Sequence, residues 1–132
     1  MLDERQKVLV IENKRLHSRE LTQSVQYFDT IIFPTLTGIM EYLVGQTNLP
    51  FEQRDDVSAV IVDGDLSDDL EQSTSSIDGD SVVNFIRRAG LFPQALLIGN
   101  YEQGDLQGVD SNLKKDRSQY GSVYDLIKAK RN

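Results

Sequence analysis

The chain of 132 residues has a formal net charge of −7, no cysteine and a single histidine. Disulfides, thiolate metal sites and an imidazole-rich zinc site are thereby excluded, and the acidic balance argues against nucleic acid or an anionic membrane as partner, since both require basic surface. Met1 is followed by Leu-Asp-Glu-Arg and no apolar run approaches ~20 residues, so the sequence predicts one cytoplasmic domain over 1–132 without targeting segment or membrane span.

Lys7-Val8-Leu9-Val10-Ile11 is a continuous apolar run stopped by Glu12-Asn13, and it reads as a buried strand with polar groups at its C-terminal end. Over 16–28, Leu21, Val25 and Phe28 recur at helical spacing among polar residues and predict an amphipathic helix. The β-branched run 30–33, closed by Pro34, predicts a second strand nearer a sheet edge. Leu36, Ile39, Met40 and Leu43 give the next helical stripe with Gly45 as its stop, and 48–56 reads as a connector. A third buried strand begins at Val57 and ends abruptly in acid at Asp63.

The segment 66–80 is rich in Asp and Ser, nearly devoid of apolar residues, and reads as a long loop. Asp80 or Ser81 is the expected cap of the helix that follows, whose Val82, Val83, Ile86 and Ala89 share a face before Gly90. Ala95-Leu96-Leu97-Ile98 is a fourth buried run ending at Gly99-Asn100. Beyond it the pattern thins: 101–107 leaves room only for a very short helix, and 109–113 predicts a weak fifth strand ending at Lys114-Lys115. Over 118–130 a final helix places Tyr120, Val123, Tyr124 and Ile127 inward and its basic residues at the negative end of its dipole. This alternation predicts a parallel sheet covered on both faces.

Ligands of such sheets bind at the C-terminal ends of the strands. If the first, third and fifth strands are neighbours, Glu12, Asn13, Asp63 and Lys115 converge there. Carboxylate, amide and backbone-carbonyl oxygens suit a hard Mg2+ ion, with Asp63, Asn13 and the carbonyl of Asp65 as candidate ligands and Glu12 acting through water. With the cation and the Lys115 ammonium neutralising charge, the Asp63 carboxylate could attack a phosphoryl donor. Plainer roles remain open beside these: Asp63 as a carboxylate in a strand-to-loop turn, Lys115 as its structural ion pair, and Glu12-Asn13 as a helix N-cap. A calcium loop starting at Asp63 fails, because Asp68 stands where glycine is needed and Thr74 where glutamate is needed. His17 reads as an exposed helix residue, and without a glycine-rich loop after the first strand nucleotide binding is disfavoured.

The ordered set Lys7-Val8-Leu9-Val10-Ile11-Glu12-Asn13, Val60-Ile61-Val62-Asp63, Gly79 with Phe85-Ile86-Arg87, and Gly108-Val109-Asp110 before Lys115 resembles the receiver domain of two-component response regulators. The resemblance covers essentially the whole chain and implies a flavodoxin-like, doubly wound, five-stranded sheet of order 2-1-3-4-5. It implies that Asp63 accepts a phosphoryl group from a histidine kinase or histidine phosphotransfer protein in a phosphorelay. It also implies that the pair after the first strand, here Glu12-Asn13, helps hold Mg2+, that Lys115 contacts the phosphoryl group, and that the chain acts through an output protein rather than as an enzyme.

Several residues depart from the family pattern. Asn13 stands where the family has aspartate, so Mg2+ should bind weakly. The Ser or Thr that ends the fourth strand is replaced by Gly99 or, with a one-residue shift, Asn100. Asn112 takes the place of the aromatic switch and Asp116 that of the proline after the lysine. Nine steps separate Gly99 from Gly108, fewer than the family's spacing, so the fourth helix should be shortened or missing. Sixteen steps separate Asp63 from Gly79, more than usual. The resemblance thus implies an atypical receiver that keeps the acceptor and its counter-charge but lacks the usual relay, the alternative being a phosphorylation-independent pseudo-receiver that serves as an interaction module.

Overall fold

The computed structural model describes residues 6–12, 23, 26, 28–63, 77–100, 105–113 and 123–129. Their elements are β1 (Lys7–Ile11), β2 (Asp29–Phe33), α1 (Leu36–Thr47), β3 (Val57–Asp63), α2 (Ile77–Ala89), β4 (Leu96–Asn100), β5 (Ser111–Leu113) and a last helix, α3, over 123–129. The five strands are all parallel and lie in the order β2-β1-β3-β4-β5, the flavodoxin-like order that the sequence predicts. The predicted helix over 16–28 lies mostly outside the described residues, as do Asn13, Asp65, Lys115 and Tyr120.

Every residue of β3 is buried, which is why that strand reads as a continuous run rather than an alternating one. On one face of the sheet Leu9, Val60 and Leu97 pack with Ile39 and Leu43 of α1 and Val82, Val83 and Ile86 of α2. On the other, Val8, Val10, Ala59, Ile61, Ile98 and Leu113 pack with Phe28 and with Val123 and Ile127 of α3. Each fully buried aliphatic side chain contributes roughly 1.5–3 kcal/mol, so these two layers fix the sheet between its helices.

The helix ends show where local chemistry sets the boundaries. Thr35 caps α1, its hydroxyl oxygen accepting from the Gly38 backbone N–H at 3.0 Å. Gly45 does not stop this helix, which runs on to Thr47. Beyond it, the Asn48 N–H closes the last turn onto Val44 O and Gly45 O, and the Arg54 guanidinium from the connector donates to the carbonyls of Thr47 (3.2 Å) and Leu49 (3.1 Å). At the end of α2, Gly90 has φ +66, Leu91 N–H donates to Ile86 O at 3.0 Å and Gly90 N–H to Arg87 O at 3.2 Å, the paired closure that needs a left-handed residue.

Two further boundaries differ from the sequence reading. The helix expected to be capped by Asp80 or Ser81 begins at Ile77, so 77–80 belongs to α2 rather than to the loop. Asp80 is spent differently: its Oδ1 accepts from the backbone N–H of Gln107 at 3.0 Å. The fifth strand is shorter than 109–113, and residues 105–110 contain no helix between β4 and β5.

Candidate functional site

β1 and β3 pair with Ile11 opposite Val62, and β3 and β4 pair with Asp63 opposite Asn100. Side chains alternate along a strand, and register partners in a parallel sheet face the same way. Glu12, Asp63 and Asn100 therefore continue the rows of Val10, Ile61 and Ile98 and form one line across three adjacent strands. The line lies at the C-terminal edge of the sheet, on the face that α3 covers. The Glu12 N–H donates to Phe33 O at 3.1 Å, which extends the β1–β2 ladder by one residue and holds Glu12 in that line.

All three side chains are enclosed: Glu12 is 1% exposed, Asp63 0% and Asn100 0%. Glu12 and Asp63 both have polar partners. Asn100 Nδ2 donates to Glu12 Oε2 across a long 3.4 Å. A carboxylate can only accept, so this contact sets which end of the Asn100 amide faces Glu12, and Oδ1 is left as the end that does not. Among the described residues nothing donates to Asn100 Oδ1.

Two enclosed carboxylates on neighbouring strands are costly unless positive charge accompanies them. The donor atoms in the row are carboxylate and amide oxygens, the set that a hard divalent cation selects. No group of three or more His, Cys, Asp or Glu is assembled among the described residues, so this row offers two carboxylates and one amide. That donor set fits Mg2+. Of the residues predicted to form the site, Glu12 and Asp63 are brought together; Asn13, Asp65 and Lys115 lie outside the described residues.

The register settles which residue ends β4 opposite the aspartate. It is Asn100; Gly99 pairs with Asn112 on β5 and faces the other way. On that opposite face Asn112 acts as a substitute backbone: its Oδ1 accepts from Leu106 N–H at 2.9 Å and its Nδ2 donates to Leu106 O at 3.3 Å. A Cβ on Gly99 would overlap Asn112 Oδ1 and lie 3.2 Å from Leu106 Cβ. Gly99, the short connection and Asn112 are thus one device, in which the amide side chain folds over the glycine beside the described residues 105–110, which hold no helix.

The same connection is tied to its neighbours at two more points. Asp110 brackets Leu97, its Oδ2 accepting from the Leu97 N–H and its own N–H donating to Leu97 O, both at 2.8 Å. Arg87 of α2 donates to Gly108 O at 3.2 and 3.0 Å and pairs with Asp110 Oδ1 at 3.3 Å.

No protein-family model matches the chain, and no curated protein matches it by sequence. Solved structures do. The chain is similar to the signal receiver domain of an HD domain-containing protein from Pseudomonas fluorescens Pf-5, with 16% identity over 96% of this chain and 98% of that one at a TM-score of 0.67. It is similar to a CheY-like response regulator receiver domain from Methanospirillum hungatei JF-1, with 12% identity, 96% of each chain covered and a TM-score of 0.63. It is also similar to the Mn2+-bound form of the response regulator Rcp1, with 17% identity over 96% and 89% of the two chains at a TM-score of 0.63. The fold is that of response-regulator receiver domains, as the ordered motifs imply. No helix among the described residues is long and apolar enough to cross a membrane.

Proposed function

We propose that the chain is an atypical phosphorelay receiver domain in which Asp63 accepts a phosphoryl group and the phosphorylated chain acts through protein contacts. The observation that carries this reading is the enclosed row Glu12–Asp63–Asn100 at the C-terminal edge of a receiver-type sheet, with Asp63 on the central strand. In the transfer, a carboxylate oxygen of Asp63 forms the O–P bond as the P–N bond of a donor phosphohistidine breaks; the imidazole leaves with the electron pair. The donor is a histidine kinase or histidine phosphotransfer protein. Asp63, Glu12, Asn13 and the Asp65 carbonyl would hold Mg2+, and Lys115 would meet the phosphoryl oxygens. The cation supplies charge neutralisation at the reacting oxygens when bound; the resemblance to a Mn2+-bound response regulator supports a divalent ion here.

One observation favours a second reading. Asp63 has no exposed surface, so a donor reaches it only when its cover opens, and Asn112 closes the face through which the family's switch residue would act. A pseudo-receiver that binds partners without phosphorylation needs neither opening nor relay. Beryllofluoride, which occupies a phosphoacceptor carboxylate only with its cation, separates the two by thermal melting. The receiver reading predicts a Mg2+- and beryllofluoride-dependent rise in melting temperature that Asp63→Asn abolishes. No rise in the wild-type chain supports the pseudo-receiver.

A further inference from the structure

We infer that the Asn100 carboxamide is a ligand for the divalent cation, its Oδ1 supplying the oxygen that the site otherwise lacks. The inference rests on the cation-assisted receiver reading and adds to it a residue on β4 that the sequence pattern marks only as a missing hydroxyl. Three observations carry it.

The first is position. Asn100 stands opposite Asp63 in the register, while Glu12 sits on the far side of β3, so β1 and β4 are roughly 9.5 Å apart across two strand spacings. The hydrogen bond from Asn100 Nδ2 to Glu12 Oε2 at 3.4 Å spans that gap. Both side chains must therefore arch over β3, which brings the carboxamide beside the Asp63 carboxylate.

The second is polarity. Glu12 accepts from Nδ2, so the carbonyl end of the amide is committed to the other side. Asn100 is 0% exposed, and among the described residues no donor reaches its Oδ1. A buried amide oxygen in that state calls for a partner, and buried polar groups are rarely left without one. An acceptor cannot meet the oxygens of a phosphoryl group, which are acceptors themselves, whereas a hard cation takes amide oxygens readily.

The third is charge. The residue after Glu12 is Asn13, not an acid, so the row holds two carboxylates, Glu12 and Asp63, rather than three. Another neutral oxygen adds coordination without adding a third buried carboxylate. Asn100 thus meets Glu12 through Nδ2 and offers the ion a neutral oxygen through Oδ1.

The test is Mn2+ titration of the full chain by calorimetry, paired with melting temperatures with and without Mn2+, for the wild type, Asn100→Leu, Asn100→Asp and Asp63→Asn. Asn100→Leu is expected to weaken Mn2+ binding by at least about tenfold, the size of loss that disturbing a metal site commonly produces. Asn100→Asp, which keeps an oxygen and adds charge, is expected to bind more tightly than wild type and to show a larger Mn2+-induced rise in melting temperature. The second variant carries the test should Asn100→Leu fold poorly. Affinity within twofold of wild type in Asn100→Leu, or an Asn100→Asp chain that binds no tighter, overturns the assignment of Asn100 while wild-type binding lost in Asp63→Asn leaves the cation site standing. Absence of Mn2+ binding to the wild-type chain overturns both.

Discussion

At the N-terminal edge of the sheet, opposite the candidate site, Asp55 gathers three side chains. Tyr42 Oη donates to Asp55 Oδ2 at 2.6 Å, Lys7 Nζ pairs with Oδ1 at 3.2 Å, and Gln46 Oε1 accepts from the Asp55 backbone N–H at 2.8 Å. The Tyr42 hydrogen bond, helped by Lys7 and opposed by burial, holds the Asp55 carboxyl below the usual carboxylate range. Burial, with the bond and charge of Asp55, holds the Tyr42 phenol well above the usual tyrosine range. The lowered carboxyl stabilises the fold above its unfolded value near 3.9, a contribution lost as pH falls through its folded value; the raised phenol stabilises below about 10 and loses that contribution as pH rises. Tyr42→Phe should lower stability by about 1 kcal/mol at neutral pH and flatten the acid limb of the stability curve. Urea denaturation at pH 7 and pH 3 checks this, and an unchanged acid loss in the variant would count against the cluster. A second residue-scale prediction concerns the Asn112 device. Gly99→Ala should cost about 1–3 kcal/mol, because the new methyl overlaps Asn112 Oδ1, and much of that cost should vanish in an Asn112→Ala background. Urea midpoints of the four chains in the cycle give the coupling; additive costs would contradict the contact.

Among the elements, the strands were the most legible from sequence. Lys7–Ile11 and Val57–Asp63 are continuous apolar runs because both faces of their sheet are covered, and the sequence reading places their ends where the structure does. Helix boundaries were less so, because the groups that set them come from elsewhere in the fold. Gly45 reads as a stop, yet it lies within α1, exposed and with nothing within 4 Å of where its Cβ would be, while Arg54 meets the helix end. Gly45→Ala should accordingly stabilise the chain by about 0.5–1 kcal/mol, read as a higher urea midpoint, since glycine only adds backbone entropy to the unfolded state there. A lower midpoint would mean that Gly45 is needed for close approach. Ile77–Asp80 reads as loop because its composition is acidic; the Asp80 bond to Gln107 N–H is a contact between positions 27 apart that no local pattern reveals. The site shows the same division. Asp63 and Glu12 were visible as acids at strand ends, but Asn100 could be joined to them only by register, which one sequence does not display.

Across the whole molecule, two of the departures from the receiver pattern fall on opposite faces of the end of β4. On the α3 side of β4, Asn100 turns a missing hydroxyl into an amide that reaches Glu12; on the other side, Gly99 and Asn112 close the space over a connection whose described part holds no helix. The row Glu12–Asp63–Asn100 lies on one face, while the opposite side of β4 and β5 is tied down by Arg87, Asp110 and Asn112; were Asp63 phosphorylated as proposed, these ties would resist displacement of β4 and β5. All of this depends on Asp63 taking a phosphoryl group. The direct measurement is the intact mass of the wild-type chain and of Asp63→Asn after incubation with phosphoramidate and Mg2+. A single phosphoryl adduct on the wild type, absent from Asp63→Asn and from a reaction stripped of divalent cation, is the predicted result; no adduct, or one that survives in Asp63→Asn, would contradict it.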